Sequence, residues 1–329
     1  MGHHEALQVV TLADEGFALP LAVFARTLLD HLGAGRPVAL TVLDGGLTPA
    51  TQEGLRESFR EDPRLTLTFR RPDFGEATAL SSTGRIPLLT YARLAAVSAV
   101  PETCDRVLVL DADQLVLTDL TRLRDLPFNG AAALAARDAF IPFVSSPNGL
   151  AGWAGLGLAR DDPFFGAAVL VLDARVWRAE GLPAKTLAWA GLHAGELNTY
   201  DQDAFNAVLA GRIGELDPRW QVQPRVLSLA PGVTPHLGPA DRARQLEDPW
   251  IVHFSGRLKP WLYRGRSRFD ELFREALSRT AFRGRLEDRG LRALAYRLYD
   301  GPVRRAVYPL EVLVEGAVRR ARRRSRPPV

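Results

Sequence analysis

At 329 residues, 47% hydrophobic and 24% charged, the chain has the composition of a soluble globular protein, built as one large α/β domain with additions or as two smaller ones. The single cysteine, Cys104, excludes an internal disulfide framework and a cysteine-based zinc site and fits a reducing compartment; no apolar run is long enough for a spanning helix, and the strand-like Leu7–Leu12 leaves no room for a signal peptide. The net charge of +4 is local, because residues 302–329 hold Arg304, Arg305, Arg319, Arg320, Arg322, Arg323, Arg324 and Arg326 against Glu311 and Glu315, and the remainder is slightly acidic.

Leu7–Leu12 reads as a strand, Leu19–Leu32 as a helix and Val38–Leu43 as a second strand, a β-α-β unit that predicts a parallel sheet. Asp14-Glu15-Gly16-Phe17 falls in the loop after the first strand. There Asp14 could accept from a nucleobase N–H and Phe17 could stack on a flat ring, although an acidic turn before a core aromatic is the plainer reading. The loop has no glycine-rich dinucleotide fingerprint. Thr48–Arg60 reads as a helix and Leu65–Phe69 as a strand; a loop punctuated by Pro, Gly and Ser runs to Pro87, and Leu88–Val100 reads as a helix. Arg93 on that mostly apolar helix either snorkels to the surface or faces an anion.

The apolar run Val107–Leu110 predicts a buried strand, and it stops at Asp111-Ala112-Asp113. In open α/β sheets ligands bind outside the carboxyl ends of the strands, and side chains two apart on an extended end point the same way. Two such carboxylates repel one another unless a cation lies between them, and hard divalent ions prefer oxygen ligands. A solvated turn carrying two surface acids fits the tripeptide equally well.

Ala131–Ala136 is a small-residue apolar run ending in Arg137-Asp138, and residues 140–164 read as a loop on the substrate side. Phe165–Leu172 predicts another buried strand, followed by Asp173 and a helix carrying Trp177. In Glu196–Leu209, Thr199 or Asp201 is expected to cap a helix whose first turn holds Asp201, Gln202 and Asp203. Trp250–Phe254 leads as a short strand into a loop with His253, Gly256 and Lys259 at equal spacing. Gly256 permits close backbone approach, Lys259 offers a point charge to a phosphate, and His253 could complete a metal shell that two aspartates leave unfinished.

Seven ordered landmarks, ADEGF, TYARL, VLVLDAD, RDAF, FFGAAVLVLD, YDQDAFN and VHFSGRLKPW, resemble the retaining glycosyltransferases of family 8 from about residue 7 to 262. That family includes bacterial lipopolysaccharide galactosyl- and glucosyltransferases and glycogenin. The resemblance implies a GT-A type, Rossmann-like α/β catalytic domain over 1–282 with a mostly parallel central sheet. It implies a UDP-sugar donor and a Mn²⁺ ion, with Mg²⁺ the alternative, on Asp111, Asp113 and His253. Gly256 and Lys259 match positions on the donor phosphates, Ala112 lies within the donor-binding motif, and Asp14 and Phe17 match positions on uracil, with Phe where Tyr is usual. Arg93 matches an arginine against the donor. Asp138 and Asp201 match carboxylates on sugar hydroxyls, and Gln202 matches the residue nearest the reacting face of the anomeric carbon.

Two positions depart from the family pattern. Gly166 stands where the family usually has asparagine, and Gly16 where an amide residue is common near the nucleotide. A bound UDP-sugar without transfer would follow if Gly166 disables the site.

The 283–329 extension has no counterpart in the shared core. Val303, Val307, Leu310 and Val314 recur at helical spacing, interrupted by Pro309, before the arginine run. This suits peripheral attachment to anionic lipid at the inner membrane face, and a glycan or glycolipid acceptor; a disordered tail fits as well. A cytoplasmic enzyme is therefore expected. Nucleic-acid binding through the tail is the rival reading, disfavoured by the absence of interleaved aromatics and by the acids in the core. A metal-dependent nucleotidyltransferase would leave the YDQD helix and the His253–Trp261 loop without roles.

Overall fold

The computed structural model describes residues 6–72, 88–227, 234, 236–256, 259–262 and 267–286. The loop read through Pro87 lies, for residues 73–87, outside the described residues, and so does the basic tail from residue 287.

The centre is a sheet of seven strands: β1 (Leu7–Ala13), β2 (Val38–Asp44), β3 (Leu65–Arg70), β4 (Arg106–Leu110), β6 (Ala133–Arg137), β7 (Phe165–Asp173) and β8 (Ile213–Glu215). They lie in the order β3-β2-β1-β4-β7-β6-β8. Strands β3, β2, β1 and β4 run parallel, as the β-α-β reading requires, and β6 and β8 are parallel. Strand β7 runs antiparallel to both β4 and β6, so β4 is parallel to one neighbour only. All nine residues of β7 are buried, which explains its unbroken apolar sequence.

The helix Ala18–His31 is buried on almost every side, with Leu21, Phe24, Leu28 and Leu29 at 0–1% exposure. Such all-round apolarity belongs to a helix enclosed by protein. It packs between the main sheet and a small antiparallel pair, β5 (Gln114–Val116) with β9 (Ile251–His253). Thr27 Oγ1 accepts from the Val116 amide at 3.1 Å, fastening the pair to the helix.

Leu88–Ala99 is wound as a 3₁₀ helix. Residues three apart then lie over one another, and Arg93 Nε donates to the Thr90 carbonyl at 3.4 Å. Among the described residues no helix is long and apolar enough to cross a membrane.

Candidate active site

Strand β4 ends at Leu110, and Asp111-Ala112-Asp113 turns away from it instead of continuing extended. The Ala112 methyl packs into the core and fixes the turn, while its two neighbours emerge beside the carboxyl edge of the sheet. Pairing of β5 with β9 sets Gln114 opposite His253, and the Phe254 amide donates to the Asp113 carbonyl at 3.0 Å. This register carries His253 to the aspartates. Its Nε2 lies 3.5 Å from Asp111 Oδ2 and 3.3 Å from Asp113 Oδ1.

One ligand atom from each of the three residues lies within 4.8 Å of the others. Two carboxylate oxygens and an imidazole nitrogen at such separations can close around a divalent cation, since adjacent ligands on a first-row ion sit about 3 Å apart. Burial would raise the Asp113 carboxyl, but His253 and Lys259 hold it well below the usual carboxylate range, so a ligand oxygen is available. Nδ1 of His253 is buried without a hydrogen-bond partner among the described residues, leaving Nε2 as the nitrogen that faces the aspartates.

Arg93 joins this cluster to the rest of the site. It is 8% exposed, with Nη2 2.9 Å from Asp111 Oδ1, Nε 2.8 Å from Asp201 Oδ2, and Nη1 donating to the Ala167 carbonyl at 2.6 Å. The guanidinium faces two carboxylates from inside the protein, so the surface-snorkelling reading is excluded. Burial would lower its pKa; Asp111 and Asp201 raise it.

The Asp201–Val208 helix assigns different work to each residue of its first turn. Neither Thr199 nor Asp201 is the cap: the N-cap is Tyr200, whose side chain makes no capping bond and whose backbone has φ 65°. Asp203 instead accepts from the Asn198 and Thr199 amides at 2.6 and 2.7 Å, reaching back to hold the approach to the helix. Asp201 turns to Arg93. Burial pushes its carboxyl up to about 6, with Arg93 opposing and Asp111 and Asp203 adding to the rise. Gln202 donates through Nε2 to Asp138 Oδ2 at 2.9 Å and accepts through Oε1 from the Ala167 amide at 3.2 Å. Its carbonyl and amide ends are thereby fixed. Asp138 Oδ1 accepts from the Phe140 and Ile141 amides at 2.8 Å each, and burial raises this carboxyl.

The loop after β9 adds Lys259. Its Nζ donates to Asp113 Oδ2 at 2.5 Å and to the Phe254 carbonyl at 2.6 Å. Buried Trp261 stacks on Phe273, with centroids 5.8 Å apart, and meets the edge of Phe17 at 5.8 Å. Lys259 Nζ lies 5.8 Å from the Phe17 ring centre, so the loop after β1 and the loop after β9 meet over the metal-ligand cluster. Phe17 is thus both a packing residue and a neighbour of the ammonium. The Asp14 carboxylate makes no hydrogen bond or ion pair among the described residues. Glu15 instead accepts from the Thr48 amide at 2.8 Å and from Thr51 Oγ1 at 2.6 Å, tying the loop to the next helix. Gly256 has φ 87°, where a side chain would strain the backbone.

Arg93, Asp111, Asp138, Asp201, Gln202, His253 and Gly256 line one cavity of about 360 Å³. Asp113 and Lys259 lie beside it, through their contacts with His253 and Asp113 respectively. Sequence reasoning missed part of the wall: Phe140, Ile141, Gln221, Gln223, Arg225 and Ser255. The Val222 amide donates to the Ile251 carbonyl and the His253 amide to the Val222 carbonyl, at 2.9 and 2.8 Å, laying Gln221–Gln223 beside β9. Gln221 closes the 3₁₀ turn Pro218–Gln221 and Gln223 follows the extended Val222, so the two glutamines reach the wall through a turn that no sequence alternation encodes.

Similarity to known proteins bears on the family and the fold. Residues 8–265 match the family described as Glycosyl transferase family 8. General stress protein A of Bacillus subtilis (strain 168) is 27% identical over 264 residues, covering 79% of this chain and 89% of that protein. Lipopolysaccharide 1,2-glucosyltransferase of Escherichia coli (strain K12) is also 27% identical over 210 residues, covering 61% of this chain and 57% of that protein. The crystal structure of galactosyltransferase LgtC in complex with donor and acceptor sugar analogs superposes with a TM-score of 0.67 at 23% identity, covering 83% of this chain and 96% of LgtC. The sheet is that of a GT-A fold, and with the match over residues 8–265 the chain belongs to glycosyl transferase family 8.

Proposed function

We propose that this chain is a retaining, Mn²⁺-dependent hexosyltransferase that moves glucose or galactose from a UDP-sugar to a hydroxyl of a glycan or glycolipid. The observation that carries the reading is one cavity lined both by metal-ligand candidates, Asp111 and His253, and by the polar set Asp138, Asp201 and Gln202. The names of the relatives, a lipopolysaccharide glucosyltransferase and a galactosyltransferase, support a hexose donor and an envelope-glycan acceptor.

In the reaction the bond between the anomeric carbon and the diphosphate oxygen breaks, and its electron pair leaves with UDP. The acceptor oxygen bonds to that carbon from the same face, and its proton passes to the departing phosphate oxygen. A divalent cation held by Asp111, Asp113 and His253 would supply Lewis-acid stabilisation of the leaving diphosphate. Lys259 and the backbone at Gly256 meet the same phosphates, so no proton donor is needed for departure. Asp14 and Phe17 take the uracil. Asp138 and Asp201 hold sugar hydroxyls, with Arg93 between Asp201 and the cation site.

Gln202 is a poor nucleophile, because an amide oxygen is far less reactive than a carboxylate. Its Oε1 uses one lone pair on the Ala167 amide and keeps a second for the positive charge that develops at the anomeric carbon. Gln202→Ala is expected to cut turnover at least a hundredfold at unchanged UDP affinity; near-wild-type turnover would overturn that role. The arginine-rich extension, on sequence alone, suits contact with an anionic membrane that presents a glycolipid acceptor.

A further inference from the structure

Gly166 and Gln221 occupy one space from opposite sides. A Cβ built on Gly166 would lie 2.4 Å from Gln221 Nε2 and 2.9 Å from its Oε1. The backbone of Gly166 is ordinary extended strand within β7, so the demand for glycine is one of room and not of φ. The Gln221 side chain fills that room. It is 5% exposed, forms part of the cavity wall with Asp138, Asp201 and Gln202, and its Oε1 is buried without a hydrogen-bond partner among the described residues. A buried amide oxygen left unpaired is costly, and most such groups find a partner. Every other glutamine of this cavity has one: Gln202 bonds Asp138, and Gln223 Oε1 accepts from Ser255 Oγ at 2.7 Å.

We infer that Gln221 is a specificity-determining residue that hydrogen-bonds a hydroxyl of the sugar bound in this cavity, and that Gly166 is glycine so that this amide can enter from the segment beside β9. The inference rests on the glycosyl-transfer reading and deepens it. An asparagine at 166 would deliver an amide to the same place from β7; here the amide arrives from the other side. The departure at Gly166 is therefore an exchange of supports and leaves the site able to work.

The clash at Gly166 falls on the far end of a flexible side chain. A side chain placed there is relieved by turning Gln221 out of the cavity, which gives a kinetic signature. With the full chain, UDP-glucose and UDP-galactose, and Mn²⁺, Gln221→Ala is expected to raise KM for the preferred donor about tenfold and to shrink its preference over the epimer by a similar factor. Gly166→Ala should reproduce both effects, and the double variant should be no worse than either single one. Gly166→Asn combined with Gln221→Ala should recover part of the loss. Slow hydrolysis without acceptor reads the donor alone, so an effect confined to transfer assigns the hydroxyl to the acceptor sugar. Unchanged kinetics and epimer preference in Gln221→Ala, or losses that simply add in the double variant, would overturn the inference. A wild-type protein inert toward both donors would instead overturn the parent reading, and thermal stabilisation by UDP separates that failure from misfolding.

Discussion

Arg93 Nε and Asp201 Oδ2 stand 2.8 Å apart, both inside the protein, and the same guanidinium reaches Asp111 at 2.9 Å. One cation thus holds together the end of β4 and the start of the Asp201–Val208 helix. The metal-ligand candidates and Asp201 thereby become parts of one structure.

Replacing Arg93 by Met should destabilise the fold by about 3 kcal/mol, because the buried Asp201 and the partly buried Asp111 lose their shared partner. Arg93→Lys keeps the charge but cannot span Asp111, Asp201 and the Ala167 carbonyl together, so it should recover stability in part and activity poorly. Urea unfolding followed by circular dichroism, alongside UDP release, checks both; equal stability of the Arg93→Met variant and the wild type would contradict the pairing.

Asp201 supplies a pH test. Its carboxyl titrates at about 6 in the folded chain and at about 4 unfolded. A folded state that binds the proton more tightly is favoured by acid, so this contribution is full below pH 4 and is lost as the pH rises through 6. The slope reaches at most about 1.4 kcal/mol per pH unit. The unfolding free energy of wild type minus that of Asp201→Asn should therefore fall between about pH 4 and 6 and stay level above. A difference flat across that window contradicts the assignment.

Tyr200 holds φ 65° directly before the helix that carries Asp201 and Gln202. Such a conformation costs a non-glycine residue about 1–3 kcal/mol and clusters at functional sites. Tyr200→Gly should raise stability by about 1 kcal/mol in thermal denaturation, whereas Tyr200→Ala should not.

Lys259 competes with any cation for Asp113, through the 2.5 Å contact between Nζ and Oδ2. Lys259→Ala should tighten binding of Mn²⁺ alone and weaken binding of UDP about tenfold, the lost charge-assisted bond outweighing the freed carboxylate. Calorimetric titration with each ligand separates the two, and parallel weakening of both would contradict this account.

The alternating helices and apolar strands were legible because burial dictates their composition: Val107–Leu110, Val38–Leu43 and Phe165–Leu172 are core strands with few alternatives. The metal-ligand trio was legible as residue types, yet its geometry was not. Asp111 and Asp113 converge through a turn pinned by Ala112, and His253 arrives through the β5–β9 register, a long-range pairing that no local pattern encodes. The capping expectation for Thr199 and Asp201 failed because Arg93 offers Asp201 a charge, a stronger partner than a helix-end amide, while Asp203 holds the preceding amides. Gln221 escaped notice for the same reason Gly166 looked like a loss: their contact joins β7 to a segment beside β9, across the cavity wall.

The central claim is best tested by UDP release from UDP-glucose and UDP-galactose, with and without Mn²⁺, in the wild type and in Asp113→Ala. Slow release from one donor that needs Mn²⁺ and is lost in the variant is the predicted result. Release at the same rate without metal, or unchanged in Asp113→Ala, would contradict it.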